Sequence, residues 1–283
     1  MGALGRWETV TTPGNAELKR FLADNEPLTT VMSEKYRDHS LDRGLKKGGR
    51  FYFYSGGGNA AVYHGPGGFL YPAGIHPVVP DPQVLRHHLG GLVRLYSIMG
   101  RSDDVVGMTG LFAQQPKIDI EYLLLSRRAS TPPEVPPPPH PDLKVVTPSP
   151  SEWKHLLPLQ IAYEVEEVLL PGRSANPNVS KSTLTESLEM QRVLVAYYRG
   201  QAVGRVATNA RGYRTEQVGG VYTDPAWRRR GLARWLMAHL LAGITAEGKT
   251  ASLFVKPHNV AALRLYEGLG FLFESHFRIS YYV

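Results

Sequence analysis

The 283-residue chain contains no cysteine. That excludes disulfides, thiolate metal sites and a cysteine nucleophile together. Long apolar runs are missing too, since no stretch approaches the ~18 apolar residues of a membrane span. The opening residues MGALGRWETV lack the basic start and apolar stretch of a signal peptide. Arg6 stands where a myristoylation site requires Ser or Thr. The expectation is a soluble, cytoplasmic protein that does not associate with membranes. Acidic residues are outnumbered, 25 against 32 basic, for a net charge of +7. Residues 143–283 hold 17 Lys and Arg against 11 Asp and Glu, so +6 of it sits there. A moderately basic half suits an anionic ligand. The basic residues are scattered rather than striped, with no zinc-finger or RNP pattern, so nucleic acid is not an expected partner.

What is present argues for packed cores: 42% hydrophobic and 20% charged residues, on a length that suits two domains. The clearest boundary is STPPEVPPPPHPDL, residues 130–143, with seven prolines. Proline at that density excludes helix and central strand and favours an extended, semi-rigid spacer. The predicted organisation is therefore an N-terminal domain over 1–129, a linker over 130–142 and a C-terminal domain over 143–283.

After the linker, LKVVTP reads as a strand. Residues 151–170 read as a helix opened by Ser151, with a kink or break at Pro158. A second helix is expected over 180–190. RVLVAYY and AVGRVATNA read as a hairpin around RGQ. TEQVGGVYTD is a third strand in that run, whose Gly219-Gly220 pair invites a bulge. Leu232, Trp235, Leu236, Leu240 and Ile244 recur at helical spacing over 228–247. ASLFVK is a strand, and Asn259 and Gly270 bracket a helix before one or two final strands. The order is β-α-α-β-β-β-α-β-α-β. The first half gives a similar order through AELKRFLADN, RFYFYS, AAVYHG, GFLYPAG, DPQVLRHHLG, LVRLYSIMG, SDDVVGMTGLFA and IDIEYLLL. A duplicated fold is one reading, although no residue-by-residue repeat is visible. The stretch SGGGNAAVYHGPGG fits no phosphate-loop spacing and reads as tight strand turns. His87 and His88 are adjacent on a helix and point apart, so no shared metal site is expected.

DPAWRRRGLARWL, residues 224–236, places Arg228, Arg229 and Arg230 where a strand feeds a helix. The first turn of a helix leaves N–H groups unpaired at its positive end, and phosphates bind there readily. Gly231 and Ala233 remove side-chain bulk. A plain solvated basic face is the alternative.

VYTDPAWRRRGLARWL resembles the acetyl-CoA signature of the GCN5-related N-acetyltransferase (GNAT) family, (Arg/Gln)-x-x-Gly-x-(Gly/Ala), here Arg228-x-x-Gly231-x-Ala233. NVAALRLYEGLGF resembles a second hallmark through Asn259, Ala262, Tyr266, Gly270 and Phe271. Together the two motifs extend the likeness to essentially all of 143–283. The resemblance implies a mixed α/β fold of the α+β type, with a mostly antiparallel central sheet flanked by helices. It also implies acetyl-CoA as cosubstrate without a metal, and transfer of the acetyl group to a primary amine in a ternary complex. Backbone groups of Val221, Tyr222 and Thr223 would pair with the pantetheine arm. Amides of Arg229, Arg230, Gly231, Leu232, Ala233 and Arg234 would cradle the pyrophosphate beside Arg228. Asn259 would bond the pantetheine region, and Tyr266 would act as general acid. A glutamate used by some relatives as base is replaced by Phe254. Glu216 is the first substitute, with Glu164, Glu166, Glu167 or His276 as the others. The first half resembles, more loosely, a degenerate copy of the same domain. It would shape the acceptor site, support a homodimer or sense a ligand. A CoA-responsive binding protein without catalysis is the alternative function.

Overall fold

A computed structural model describes residues 5–10, 14–37, 49–56, 58–77, 79–90, 94–128 and 131–282. Gly57 of the glycine-rich stretch, Leu92 and Val93 of an expected strand, and Ala129 and Ser130 at the linker boundary lie outside them. The described strands form one sheet. Its order is β1 (Arg6–Val10), β2 (Arg50–Ser55), β3 (Ala60–Gly65), β4 (Phe69–Ala73), β5 (Ser97–Arg101), β12 (Leu272–Tyr281), β6 (Ile118–Arg127), β11 (Thr250–Val255), β10 (Thr215–Thr223), β9 (Gln201–Arg211), β8 (Val193–Tyr198) and β7 (Leu143–Val146). Only β4–β5 and β10–β11 pair in parallel.

This order interlocks the two halves. β12, the last strand of the chain, lies between β5 and β6 of the first half. β6, from the first half, lies between β11 and β12 of the second. The β6–β12 pair runs antiparallel from Leu272↔Ser126 to Tyr281↔Ile118, so each half is completed by the other's final strand.

The second half follows the expected element order. Arg199 and Gly200 turn the β8–β9 hairpin, both with positive φ (47° and 85°), as a two-residue hairpin loop requires. Helix α5 (Trp153–Tyr163) runs through Pro158 without breaking. The missing proline N–H forfeits one bond, to a carbonyl in the first helical turn. The cap is Ser149, whose capping box with Glu152 opens a 3₁₀ turn over Pro150–Glu152, rather than the expected Ser151. A π-helical turn over Glu164–Val168 continues α5. Helix α6 spans Pro177–Met190, α7 Leu232–Ala246 and α8 Val260–Glu267.

Strand alternation sorts the core into two faces. On one face Val193, Val195 and Ala207 pack with Leu156, Leu184 and Leu188 of α5 and α6. On the other, Ala196, Val206, Val218 and Leu253 pack with Leu236, Leu240 and Ile244 of α7 and with Tyr266 and Phe271. The first half repeats the plan with α1 (Ala16–Asp24) and α2 (Thr30–Tyr36) on one face. Its other face carries α3 (Pro82–Leu89) and α4 (Ser102–Thr109). Strand β1 and helix α2 escape the sequence reading. Thr30, Met32, Ser33, Glu34 and Tyr36 of α2 are all buried, so the helix has no polar face to reveal its period.

The proline-rich linker carries no helix or strand over 131–142, yet it is packed down. The His140 ring lies 5.0 Å from that of Tyr198 and 6.2 Å from that of Trp227. Asp142 accepts from Arg199 at 3.0 Å. No helix among the described residues is long and apolar enough to cross a membrane.

Candidate active site

The parallel ladder between β10 and β11 runs only from Thr215↔Thr250 to Val218↔Leu253. Beyond it Gly219–Thr223 have no partner on β11, and the strands diverge. The cause is local. Between Gly219↔Ala207 and Tyr222↔Arg205 the β9 register slips by one residue, which makes the expected bulge, with Gly220 at φ 57°. A bulge bends and twists its strand. The Asn209 side chain fills the space that a Gly219 Cβ would need, so a larger residue there would displace it. Val221 has no register partner on either neighbouring strand. Tyr222 and Thr223 pair with Arg205 and Gly204 on β9, leaving their other edge facing the gap.

At the mouth of the gap, Asp224 accepts from the Ala226 amide at 2.9 Å and Pro225–Trp227 form a 3₁₀ turn. Arg229 (φ 59°) and Gly231 (φ 83°) then take left-handed conformations, which swing the chain into α7. The first bond of that helix is Trp235 N–H to the Gly231 carbonyl, at 3.0 Å. The amides of Arg229, Arg230, Gly231, Leu232, Ala233 and Arg234 donate to no acceptor among the described residues. A row of free N–H groups at a helix N-terminus is an anion-binding surface. The three arginines do not act as one patch. The Arg228 guanidinium pairs with Glu166 at 2.6 Å and donates to the Thr223 carbonyl at 3.1 Å. Arg230 lies over the Trp227 ring at 5.2 Å.

Asn259 caps α8, its Oδ1 accepting from the Ala262 amide at 3.1 Å, so its Nδ2 group is what remains for a ligand. Tyr266 is 7% exposed and packs on Phe271 at 5.8 Å. Its hydroxyl makes no hydrogen bond among the described residues. Burial raises its pKa well above 10, and the charges of Glu167 and Tyr163 add to the shift, so it is a protonated donor at neutral pH. Tyr266 belongs to the α7/α8 face, whereas Tyr163 and Glu167 belong to the α5 face. They interact because no strand ladder closes the sheet between them.

The model of the acetyltransferase (GNAT) family matches residues 163–271, a range that takes in β10, β11, α7 and α8. That stretch of the chain is similar to the GNAT family. The ribosomal protein bS18-alanine N-acetyltransferase of Salmonella typhimurium is 43% identical over 63 residues. The chain spans about two fifths of the length of that relative, 42%, and the match takes in 22% of this chain. Among solved structures, a GCN5-related N-acetyltransferase from Sphaerobacter thermophilus superposes with a TM-score of 0.57 at 15% identity, over 98% of this chain and 95% of that one. A tandem GNAT protein from the clavulanic acid biosynthesis pathway gives a TM-score of 0.56 at 13% identity, over 98% and 99%. The fold of the whole chain, both halves included, is that of these GNAT structures.

Within the GNAT region the expected base is misplaced. Glu216 lies at the closed end of the ladder, opposite Ala251, and is fully buried. Arg192 holds it at 2.7 Å, Arg211 at 3.0 Å and Lys249 at 3.1 Å. Burial alone would raise its pKa, but the hydrogen bonds from Arg192, Arg211 and Lys249, with the charge of Arg211, lower it. A carboxylate so held is a structural anion and a poor proton acceptor, which corrects the Glu216 assignment. His276 is exposed and follows the α7/α8 face of β12, next to Phe273 at 5.2 Å. Glu164 accepts from Gln160 at 2.6 Å and from the Ser180 hydroxyl, and Gln160 in turn accepts from the buried Arg205. Glu166 is engaged by Arg228. Glu167 is the carboxylate whose charge reaches Tyr266, with Lys256 at 3.7 Å.

Two residues of the site gave no signal in the sequence. Tyr163 packs against Tyr222 at 6.3 Å, and its pKa is raised by burial against the pull of Arg205 and the Gly220 backbone. Tyr122 comes from β6 of the first half. Its ring lies 6.5 Å from Phe254, and burial, with the charges of Tyr281, Tyr163 and Glu167, pushes it up to about 12. Phe254 itself stacks on Phe277 at 3.9 Å. Tyr122 lies outside the matched stretch, and only the strand exchange brings it here.

Proposed function

We propose that the protein is an acetyl-CoA-dependent N-acetyltransferase that moves an acetyl group directly onto a primary amine. The observation that carries this reading is the open edge of Val221–Thr223 leading into six free amides, Arg229–Arg234. An extended pantetheine arm pairs with such an edge, and a diphosphate suits such amides. Asn259 Nδ2 is the further donor on the arm. Acetyl-CoA supplies the thioester carbonyl and the thiolate leaving group. Glu167, directly or through water, accepts the proton that the amine must lose, since a lysine-type amine has a pKa near 10.4. The Val221 N–H faces the developing oxyanion, and Tyr266 returns a proton to the departing sulfur.

The Salmonella relative is named for acetylating an alanine of a ribosomal protein. Protein α-amines, with pKa values nearer 8 than those of lysine, therefore belong in the acceptor panel alongside lysine-type amines and polyamines. A second reading, a CoA-responsive protein without turnover, is favoured by Phe254 at the position where some relatives carry a glutamate. Calorimetry with acetyl-CoA, followed by thiol release over the amine panel, separates the two. Micromolar binding with turnover on any amine supports the enzyme. Binding without turnover on any of them supports the second reading, and no binding removes both.

A further inference from the structure

The first half contains a cavity of about 460 Å³ remote from the cleft between β10 and β11. Its size falls within the range of small-molecule sites. It opens beyond the C-terminal ends of α3 and α4, and the residue following β12 closes its floor. Leu89 and the Tyr282 ring are buried, while Leu95 and Phe112 are half-buried walls. Tyr282 is tied in place from both directions. Its N–H donates to the Tyr96 carbonyl at 2.9 Å, and its carbonyl accepts from Gln114 at 3.3 Å. Its hydroxyl is buried without a hydrogen-bond partner, and burial, with the charge of Asp119, pushes its pKa up to about 12.

The rim carries Arg86 and Arg94. Both are exposed, and among the described residues neither guanidinium pairs with a carboxylate. The C-terminal end of α3 gives Arg86 a favourable dipole, but Arg94 lies beyond the helix and has no such account. Two unmatched guanidinium groups over a half-open hollow, walled in part by Leu89, Leu95, Phe112 and Tyr282, form a site with a charged entrance and an apolar wall. Arginine is suited to bidentate contact with carboxylate or phosphate oxygens.

We infer that this cavity binds a small organic oxyanion, with its apolar body against Leu95 and Phe112 and its anionic head between Arg86 and Arg94. The site is independent of the acetyl-transfer reading, because it shares no residue with that cleft. Titration calorimetry of the full chain with benzoate, phenyl phosphate and neutral benzyl alcohol tests it and distinguishes the two headgroups. Saturable binding of at least one anion is expected, about tenfold or more tighter than that of benzyl alcohol. The Arg86→Ala/Arg94→Ala double variant should lose about tenfold or more of that affinity. Both arginines are exposed, so the double variant should keep the wild-type circular dichroism and melting temperature. The Arg94→Glu variant should abolish binding. Absence of saturable anion binding, equal binding of benzyl alcohol, or an unchanged affinity in the double variant would overturn the proposal. Displacement of the bound anion by acetyl-CoA would overturn it as well, by placing the anion in the other cleft.

Discussion

Glu216 shows how one side chain can carry the chemistry of a base in its identity and the role of a fastener in its surroundings. Three cations converge on it with no solvent exposure. Removing the carboxylate leaves them partly uncompensated, at a cost of about 3–5 kcal/mol for a broken buried pair. We expect Glu216→Gln to lower the melting temperature at pH 7 while leaving kcat per folded molecule near the wild-type value. A selective loss of kcat would restore Glu216 as the base. The sign of the pH dependence follows from the lowered pKa. The stability contributed by Glu216 is present above its unfolded value of 4.5 and is lost as pH falls through the lower folded value. The gap in melting temperature between wild type and Glu216→Gln should therefore close below about pH 4.5. Tyr266 makes the opposite prediction. Tyr266→Phe should reduce kcat by about 10²-fold, the lower end for a general acid, with acetyl-CoA affinity nearly unchanged. Equal losses in thiol release and in calorimetric affinity would make it a packing residue. Glu167→Gln should reduce kcat by a similar factor of about 10² with acetyl-CoA affinity nearly unchanged. A wild-type kcat would exclude Glu167 as the base.

At the scale of elements, the site is made by two local departures from regular structure. The bulge at Gly219–Gly220 ends a parallel ladder early, and the left-handed turn at Arg229–Gly231 starts a helix with its amides unpaired. Replacing Gly231 by alanine forces an L-residue to φ 83°, at a cost of about 1–2 kcal/mol. The strain is expected to be relieved by reorienting the amides of the cradle. Acetyl-CoA affinity should fall about tenfold, the equivalent of 1.4 kcal/mol, and calorimetry reads it directly. Unchanged affinity would show that the cradle does not depend on that geometry. The bulge was legible in the sequence, because a glycine pair acts over a few neighbours, whereas the left-handed turn was not, and the helix expected from Arg228 starts at Leu232. Nor was the π-helical turn after α5 legible. Nothing in YEVEEVLL distinguishes a π turn from the α-helix expected there. The turn is associated with contacts reaching 62 residues along the chain, such as Glu166 to Arg228.

On the scale of the whole molecule, the halves are not beads on a string. Each lacks a strand that the other supplies, and the first half also clamps the β9–β10 turn, where Glu26 accepts from the amides of Tyr213 and Arg214 at 2.9 and 2.8 Å. Residues 131–283 expressed alone would expose the β11 edge that β6 covers, along with the core residues, such as Leu253 and Val255, that Leu123 and Leu125 of β6 pack against. Such an edge is an aggregation template. We expect that fragment to be aggregated or unfolded by size-exclusion chromatography and circular dichroism. Co-expression with residues 1–130 should restore a soluble complex. A monomeric, cooperatively melting fragment that binds acetyl-CoA would show that the exchange is dispensable. The amino-acid sequence by itself determined the order of elements in the second half, the corner where β10 feeds the N-terminus of α7 and the helix bearing Tyr266. Each depends on periodicity, caps and glycine conformations that act within a few residues. The tertiary structure alone decided that Glu216 is locked among cations, that the charges of Glu167 and Tyr163 act on Tyr266 from the other face of the sheet, and that Tyr122 reaches the second half. Those outcomes depend on strand order and burial, which bring together groups far apart in the chain, such as Tyr122 and Phe254.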